Sequence, residues 1–417
     1  MSNPTLARRD FLRRSLAGVS VAGSCPLFLG KTATALAATG QPDDNRALVV
    51  VQLTGGNDGL NTVVPYADSA YARARQNLRI PEKDVLKIDE YAGLHPNLKE
   101  LKNFYDEGQM AIVQGTSYPN PVRSHFEAMD IWHAGDPMGA RRGSGWLGRA
   151  VEAIYGSDAD PVTAVGVGNR VPPAMVGKQT KPVALQNPQN FRWRGRSMQR
   201  EAFQAINSDS DKKSSQTPKV AGLDFLLRVA NDAQQSSQTI REAVADYQPV
   251  AEYPTNNPLA SQLRLVSGMI AAGLPTRVYY VSLGSFDTHA NQQVRHDQLL
   301  ANLSTAMDAF FKDLRAQKAL DRVLVLSFSE FGRRVQENGS RGTDHGVAGP
   351  MFLFGSQVNG GLHCEHPSLT ELVKGDLDMS VDFRQVYATV LDGWLGASSK
   401  NVLGEAFETL ALLKPRR

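Results

Sequence analysis

The sequence predicts an α/β fold, a mostly parallel central sheet with helices on both faces. Two observations carry this. The runs Ala47–Leu53, Arg277–Leu283 and Val323–Phe328 are apolar and rich in β-branched residues, the pattern of strands buried on both faces. Between them, apolar residues recur at helical spacing, so strand and helix alternate as crossovers between parallel strands require.

Taken in order, residues 47–53 (ALVVVQL) run into Thr54-Gly55-Gly56-Asn57-Asp58-Gly59-Leu60-Asn61-Thr62, where glycine permits a tight turn and close approach to a ligand. A helix is predicted over 94–107, with Leu94, Leu98, Leu101 and Tyr105 on one face and Gly108 as its stop. Met110–Gly115 reads as a strand that empties into residues 116–123. Ser124 then opens a helix carrying Phe126, Met129 and Trp132 or His133 on one side. Residues 136–149 are a Gly- and Arg-rich loop, and 163–167 and 182–185 are short strands between prolines. A polar, low-complexity loop spans 207–219, between helical patterns at 221–235 and 259–272. Arg277–Leu283 enters Gly284-Ser285-Phe286-Asp287-Thr288-His289. A long helix over about 292–317 follows, with a core stripe of Leu299, Leu303, Met307, Phe310 and Leu314. Val323–Phe328 and Met351–Phe354 flank a polar loop, and helices at 383–395 and near 402–412 complete the chain.

The 417 residues are 41% hydrophobic and 21% charged, ordinary globular composition. The first 37 residues read as a twin-arginine export signal. Arg8-Arg9-Asp10-Phe11-Leu12 precedes a weakly apolar run, and Ala35-Leu36-Ala37 suits cleavage. That predicts a periplasmic or otherwise exported protein, with the twin-arginine translocase as a transient partner. Residues 38–417 are expected to form one domain, with a cap or insertion within 156–275. No segment is long and apolar enough to span a membrane. Removing Arg8, Arg9, Arg13, Arg14, Lys31 and Asp10 leaves 40 basic and 41 acidic residues, so charge gives no reason to expect nucleic acid or an anionic membrane as partner. Only Cys364 remains, which rules out an intrachain disulfide.

Four strand ends carry similar side chains. The first leads to Asp58, the second to Arg123 and Ser124, the third to Asp287 and His289, and the fourth to Glu330, Asp344 and His345. In open α/β sheets, ligands bind at the carboxyl ends of strands. A mixed carboxylate and imidazole set suits Zn²⁺ or Mn²⁺, while Ca²⁺ or Mg²⁺ would favour oxygen alone. One or two ions are expected, and a pair would clamp the oxygens of a displacement at phosphorus. Each residue also has a structural alternative. Asp58 suits its turn, Asp287-Thr288-His289 suits a helix cap, and Glu330 could pair with Arg333 or Arg334. Asp344 could orient His345 instead of touching an ion. Ser124-His125-Phe126-Glu127 reads as a capping box, although a serine at a helix start also suits a nucleophile. Arg123 could hold an anionic substrate.

The motifs Gly-Gly-Asn-Asp-Gly-Leu-Asn-Thr (55–62), Arg-Ser-His-Phe (123–126), Phe-Asp-Thr-His (286–289), Ser-Glu-Phe-Gly-Arg (329–333) and Thr-Asp-His-Gly (343–346) behind a twin-arginine signal resemble domain of unknown function 1501, a family of exported bacterial proteins. That family in turn resembles the alkaline phosphatase and sulfatase superfamily. The resemblance implies an alkaline-phosphatase-like fold, with Asp58 as a metal carboxylate, Ser124 as nucleophile, and Asp287 and His289 on one ion. For the other ion, either Asp344-His345-Gly346 corresponds to the superfamily's Asp-His-Gly, or Glu330 stands there with His345 as a late histidine ligand. The second arrangement follows strand position, and it puts Glu330-Phe331 where Asp-His is expected. Cys-x-Pro-x-Arg is absent, so formylglycine chemistry is not implied. The function implied is hydrolysis of a small phosphate or sulfate ester by Ser124 or a metal-bound water. The rival is a non-catalytic metal- or anion-binding or envelope assembly protein on the same fold.

Overall fold

A computed structural model describes residues 45–141, 143–156, 159–180, 182–189 and 236–415. The predicted export signal, the polar loop 207–219 and the helix 221–235 lie outside the described residues. Nine strands form the central sheet. They are β1 (Ala47–Leu53), β5 (Met110–Ser117), β6 (Ala164–Val167), β7 (Val183–Leu185), β8 (Val278–Leu283), β9 (Val323–Phe328), β12 (Gly349–Phe354), β13 (Gly361–His363) and β14 (Val381–Asp382). Two small sheets supply the remaining strands, β2 (Val63–Val64), β3 (Leu86–Lys87) and β4 (Gly93–Leu94) in one, β10 (Arg333–Glu337) and β11 (Thr343–His345) in the other.

The sheet runs β13-β5-β12-β9-β1-β8-β6-β7, with β14 also on β5. β1 lies parallel to both β8 and β9. Only β12 runs against its neighbours, β5 and β9. It returns straight from the β10–β11 ribbon without a crossover helix, and a short return can only pair antiparallel. The rest is parallel, as the alternation of strand and helix predicts.

Every residue of β1 is buried. Ala47, Val49, Val51 and Leu53 face one apolar core, and Leu48 and Val50 face the other. Helices α1 (Lys99–Asp106), α4 (Pro258–Ala271) and α5 (Gln292–Ala316) cover the first face. On the second lie α2 (His125–Ala134), α3 (Trp146–Tyr155) and α6 (Phe383–Val390). Burial on both faces is what makes the strand sequences uniformly apolar.

Two helix boundaries differ from expectation. Residues 93–94 form β4 against Val63 and Val64, so α1 starts only at Lys99. The last helix is Ser399–Leu403 and ends at Gly404 in the left-handed conformation, so of the helix expected near 402–412 residues 404–412 are not helical. The described parts of 156–275 include the edge strands β6 and β7 and helix α4. Among the described residues, no helix is long and apolar enough to cross a membrane.

Candidate metal centre

Because β1, β5, β8 and β9 run parallel, their carboxyl ends open on one edge of the sheet. The loop after β5 brings His125, the loop after β8 brings Asp287 and His289, and the ribbon after β9 brings His345. His125, Asp287 and His345 offer ligand atoms that all lie within 4.8 Å of one another. Asp287 Oδ1 is 3.0 Å from Nε2 of His289, 3.1 Å from Nε2 of His345 and 3.5 Å from Nε2 of His125.

The outer nitrogens fix the ring orientations. His345 Nδ1 lies 2.8 Å from the Arg123 carbonyl oxygen, which can only accept, so this nitrogen carries the hydrogen. His125 Nδ1 faces Glu330 Oε1 at 2.8 Å, and His289 Nδ1 faces Asp344 Oδ1 at 3.4 Å. Each neutral ring then turns an Nε2 lone pair inward. His125 Nε2 is buried and has no hydrogen-bond partner. A buried lone pair without a partner is costly, and a cation held by His125, Asp287 and His345 would satisfy it. Carboxylates or carbonyls behind metal-binding histidines are the usual arrangement. The donor set therefore fits a divalent ion.

Burial works to raise the Asp287 carboxyl, but the Arg333 guanidinium and His345 outweigh it and bring it down to about 2. Asp287 is thus a carboxylate at any physiological pH, as a ligand must be. The hydrogen bond that His125 donates to Glu330 raises the proton affinity of His125, while burial lowers that of His345.

The predicted residues take distinct places. Asp287, His289 and His345 meet in the cluster. Glu330 is fully buried behind His125 and also accepts from the Gly55 amide at 2.8 Å. Asp344 orients His289, not His345, and is braced by Asn338 at 3.1 Å. Asp58 is fully buried, gripped by Arg75 through both oxygens at 2.6 and 3.1 Å and by Gln292. Burial tends to raise its carboxyl, but Arg75 outweighs that and holds it below the usual carboxylate range. Ser124 is exposed at the N-cap of α2, and its side chain makes no cap hydrogen bond, so the capping box is not formed. The Arg123 guanidinium pairs with the buried Asp376.

Sequence reading assigned no role to His125. The available signal was its place directly after Ser124, in the loop that leaves β5. Two further residues build the floor. Phe331 packs its ring against His125 and His345, with centroids 4.8 and 4.7 Å away. Arg333 is buried and donates to the carbonyls of Gly55, Gly56, Phe286 and Thr343 as well as to Asp287 Oδ1 at 2.7 Å. It ties the loops after β1 and β8 to the ribbon. Gly55 and Gly56 have φ of +117° and +75°. A Cβ on Gly55 would stand 2.5 Å from the Asp287 nitrogen, and one on Gly56 would strike Phe331. Only glycine suits both positions.

Among curated proteins, none matches the chain. Solved structures similar to it include a protein in the alkaline phosphatase superfamily from Vibrio parahaemolyticus, at 8% identity and TM-score 0.39, covering 89% of this chain and 77% of that one. A sulfatase from Pseudoalteromonas sp. shows 12% identity and TM-score 0.38, covering 93% and 76%. The C-terminal periplasmic domain of EcEptC from Escherichia coli, in complex with Zn, shows 12% identity and TM-score 0.35, covering 76% and 74%. Likeness at this level says nothing of activity. The family model described as Protein of unknown function (DUF1501) matches residues 109–396. That stretch contains His125, Asp287, His289, Glu330, Asp344 and His345, while the Gly55–Thr62 motif lies before it. With more than half of its length matched, the chain belongs to the DUF1501 family.

Proposed function

We propose that this protein is an exported, metal-dependent hydrolase of phosphate or sulfate esters. The observation that carries the reading is the convergence of three imidazole Nε2 atoms on Asp287 Oδ1, with acceptors behind each ring. His125, His289, His345 and Asp287 would hold one divalent ion, with Zn²⁺ or Mn²⁺ favoured by the nitrogen-rich set. When bound, the ion supplies Lewis acidity toward an ester oxygen. Glu330 and Asp344 keep their histidines in the ligating orientation. Ser124 stands one residue from His125 at the start of a ten-residue helix, where the helix dipole favours negative charge on its oxygen. It is the nucleophile we favour, with water as the alternative. Arg123 lies beside it as an anion-binding group.

A second reading, a non-catalytic metal- or anion-binding protein, has its own support. Asp58 is neutralised by Arg75 and Glu330 stands behind His125, so the described residues contain one ligand cluster. Elemental analysis of protein purified without a metal-affinity tag tests both readings. About one divalent ion per chain is expected, and its absence rejects both as metalloprotein readings. With metal present, aryl phosphate mono- and diesters and aryl sulfates decide between them. Turnover abolished by His345→Ala supports the hydrolase, and no turnover on any ester favours the binding protein.

A further inference from the structure

We propose that Phe126 is a specificity residue, the aromatic wall of a cleft beside the histidine cluster that receives an aryl group of the substrate; this rests on the hydrolase reading. Phe126 directly follows His125 in α2, yet it is 88% exposed. The neighbours of α2 show which way it leans. Successive residues of a helix turn by about 100°, and residues seven apart return to within about 20° of one direction. His125 therefore shares a stripe with Trp132, and Phe126 with His133. Trp132 stacks on Phe328 of β9, with ring centroids 5.2 Å apart, and His125 on the same stripe reaches Glu330 just past β9. His133 leans the other way, with Nε2 3.2 Å from the hydroxyl oxygen of Tyr280 in β8. Phe126 lies two turns nearer the start of α2, about 10 Å beyond His133 along the axis. It thus flanks the cluster on the side of the β8 loop, which carries Asp287.

The end of β8 is open on that side. On the sheet face that α2 covers, Val278 and Tyr280 are buried, but Ser282 is exposed. Gly284 and Ser285 beyond it are exposed as well, and a Cβ built on Gly284 would meet nothing within 4 Å. An exposed ring therefore stands across from a strand end that carries little side-chain bulk. Asp287 follows two residues after Ser285, and its Oδ1 is 3.5 Å from His125 Nε2. An ester whose anionic end sits at the cluster would lay its organic end between Phe126 and this bare strand end. A flat ring suits such a slot. It covers an aromatic face that water otherwise wets, and offset or edge-on contact between rings adds to the area buried.

The test is calorimetric titration of phenylphosphonate and methylphosphonate, neither of which has an ester bond to cleave, into the full chain as purified. The parent should bind phenylphosphonate about tenfold more tightly than methylphosphonate. Phe126→Ala should erase that preference while leaving methylphosphonate affinity and metal content unchanged, and Phe126→Trp should keep it. Met138→Ala removes another highly exposed apolar side chain, at the opposite end of α2, and should leave the preference intact. A preference that survives in Phe126→Ala overturns the proposal, as does its loss in Met138→Ala, or a parent that shows no preference or binds neither compound. A preference that depends on Phe126, without turnover of any ester, would sink the hydrolase reading and leave the aryl site standing. Turnover with the preference unaltered in Phe126→Ala would do the reverse.

Discussion

Nε2 of His289 lies 2.9 Å from Nε2 of His345, close enough for a hydrogen bond that two lone pairs cannot make. Both rings have an acceptor at Nδ1, Asp344 for the first and the Arg123 carbonyl for the second, so neither ring in its neutral form offers the missing hydrogen. A cation between them would resolve the contact, as would a proton on either Nε2.

His125 is the cluster residue that sequence reading overlooked. His125→Ala and His345→Ala should each lose the bound ion while remaining folded. Elemental analysis alongside circular dichroism measures both properties. Full metal content in His125→Ala would remove this residue from the site.

Glu330→Gln keeps the shape of the side chain but removes the charge behind His125. Replacing such a supporting carboxylate weakens metal binding by about 10- to 100-fold. Competition with a chelator of known affinity gives the number. A loss of stability with unchanged metal affinity would mean that Glu330 serves the Gly55 amide alone.

Asp58 and Arg75 are both fully buried and hold one another. Removing one partner from such a pair costs about 3–5 kcal/mol, because the other charge stays buried. Arg75→Met should therefore lower the denaturation midpoint sharply, and the double variant Asp58→Asn/Arg75→Met should recover part of the loss. Metal content in the folded fraction should not change. Loss of the ion in the double variant would restore Asp58 as a ligand.

Acid should destabilise the fold through two buried histidines. Burial pushes His133 and His296 each down to about 4. The unfolded chain takes up protons near 6.5, so it binds more than the folded chain between pH 6.5 and 4. The stabilisation from the neutral rings is complete above pH 6.5 and is lost as pH falls through that window. A displacement of this size corresponds to roughly 3 kcal/mol for each ring below pH 4. Urea midpoints at pH 7.5 and 4.5 should differ accordingly, and His133→Gln should reduce the difference. An unaltered difference would assign the acid sensitivity elsewhere.

For the nucleophile, Ser124→Ala is the discriminating change. Loss of turnover by a factor of about 10² or more, with metal retained, supports attack by serine, since removing a nucleophile acts on the chemical step. Turnover close to that of the parent assigns attack to water. Because Ser124 caps nothing, stability should change by no more than about 0.5 kcal/mol, as at other exposed positions.

Much of the fold was legible because the central strands β1 and β9 bury both faces and are largely apolar. Ala47–Leu53, Val278–Leu283 and Val323–Phe328 could be placed without any partner in view. The candidate site was legible as a set of strand ends, since carboxylates and imidazoles stand out in loops. Its roles were not. Glu330 and Asp344 have the same chemistry whether they touch an ion or the far nitrogen of a histidine. Asp58 looks like a ligand until Arg75, 17 residues away, is seen to occupy it. Phe331 reads as a lost histidine, yet in space it is the apolar wall on which two histidines lean.

The sequence by itself determined the layered α/β architecture and which loops carry chemistry, because hydrophobic periodicity and ligand-type side chains are local properties. The tertiary structure decided which of those side chains meet. His125 joins Asp287, His289 and His345 because four parallel strands end on one edge. Arg75 and Arg333 settle inside because distant carboxylate and carbonyl oxygens surround them. A ligand set is a matter of distances between chain segments far apart in sequence, and those distances exist only once the sheet has formed.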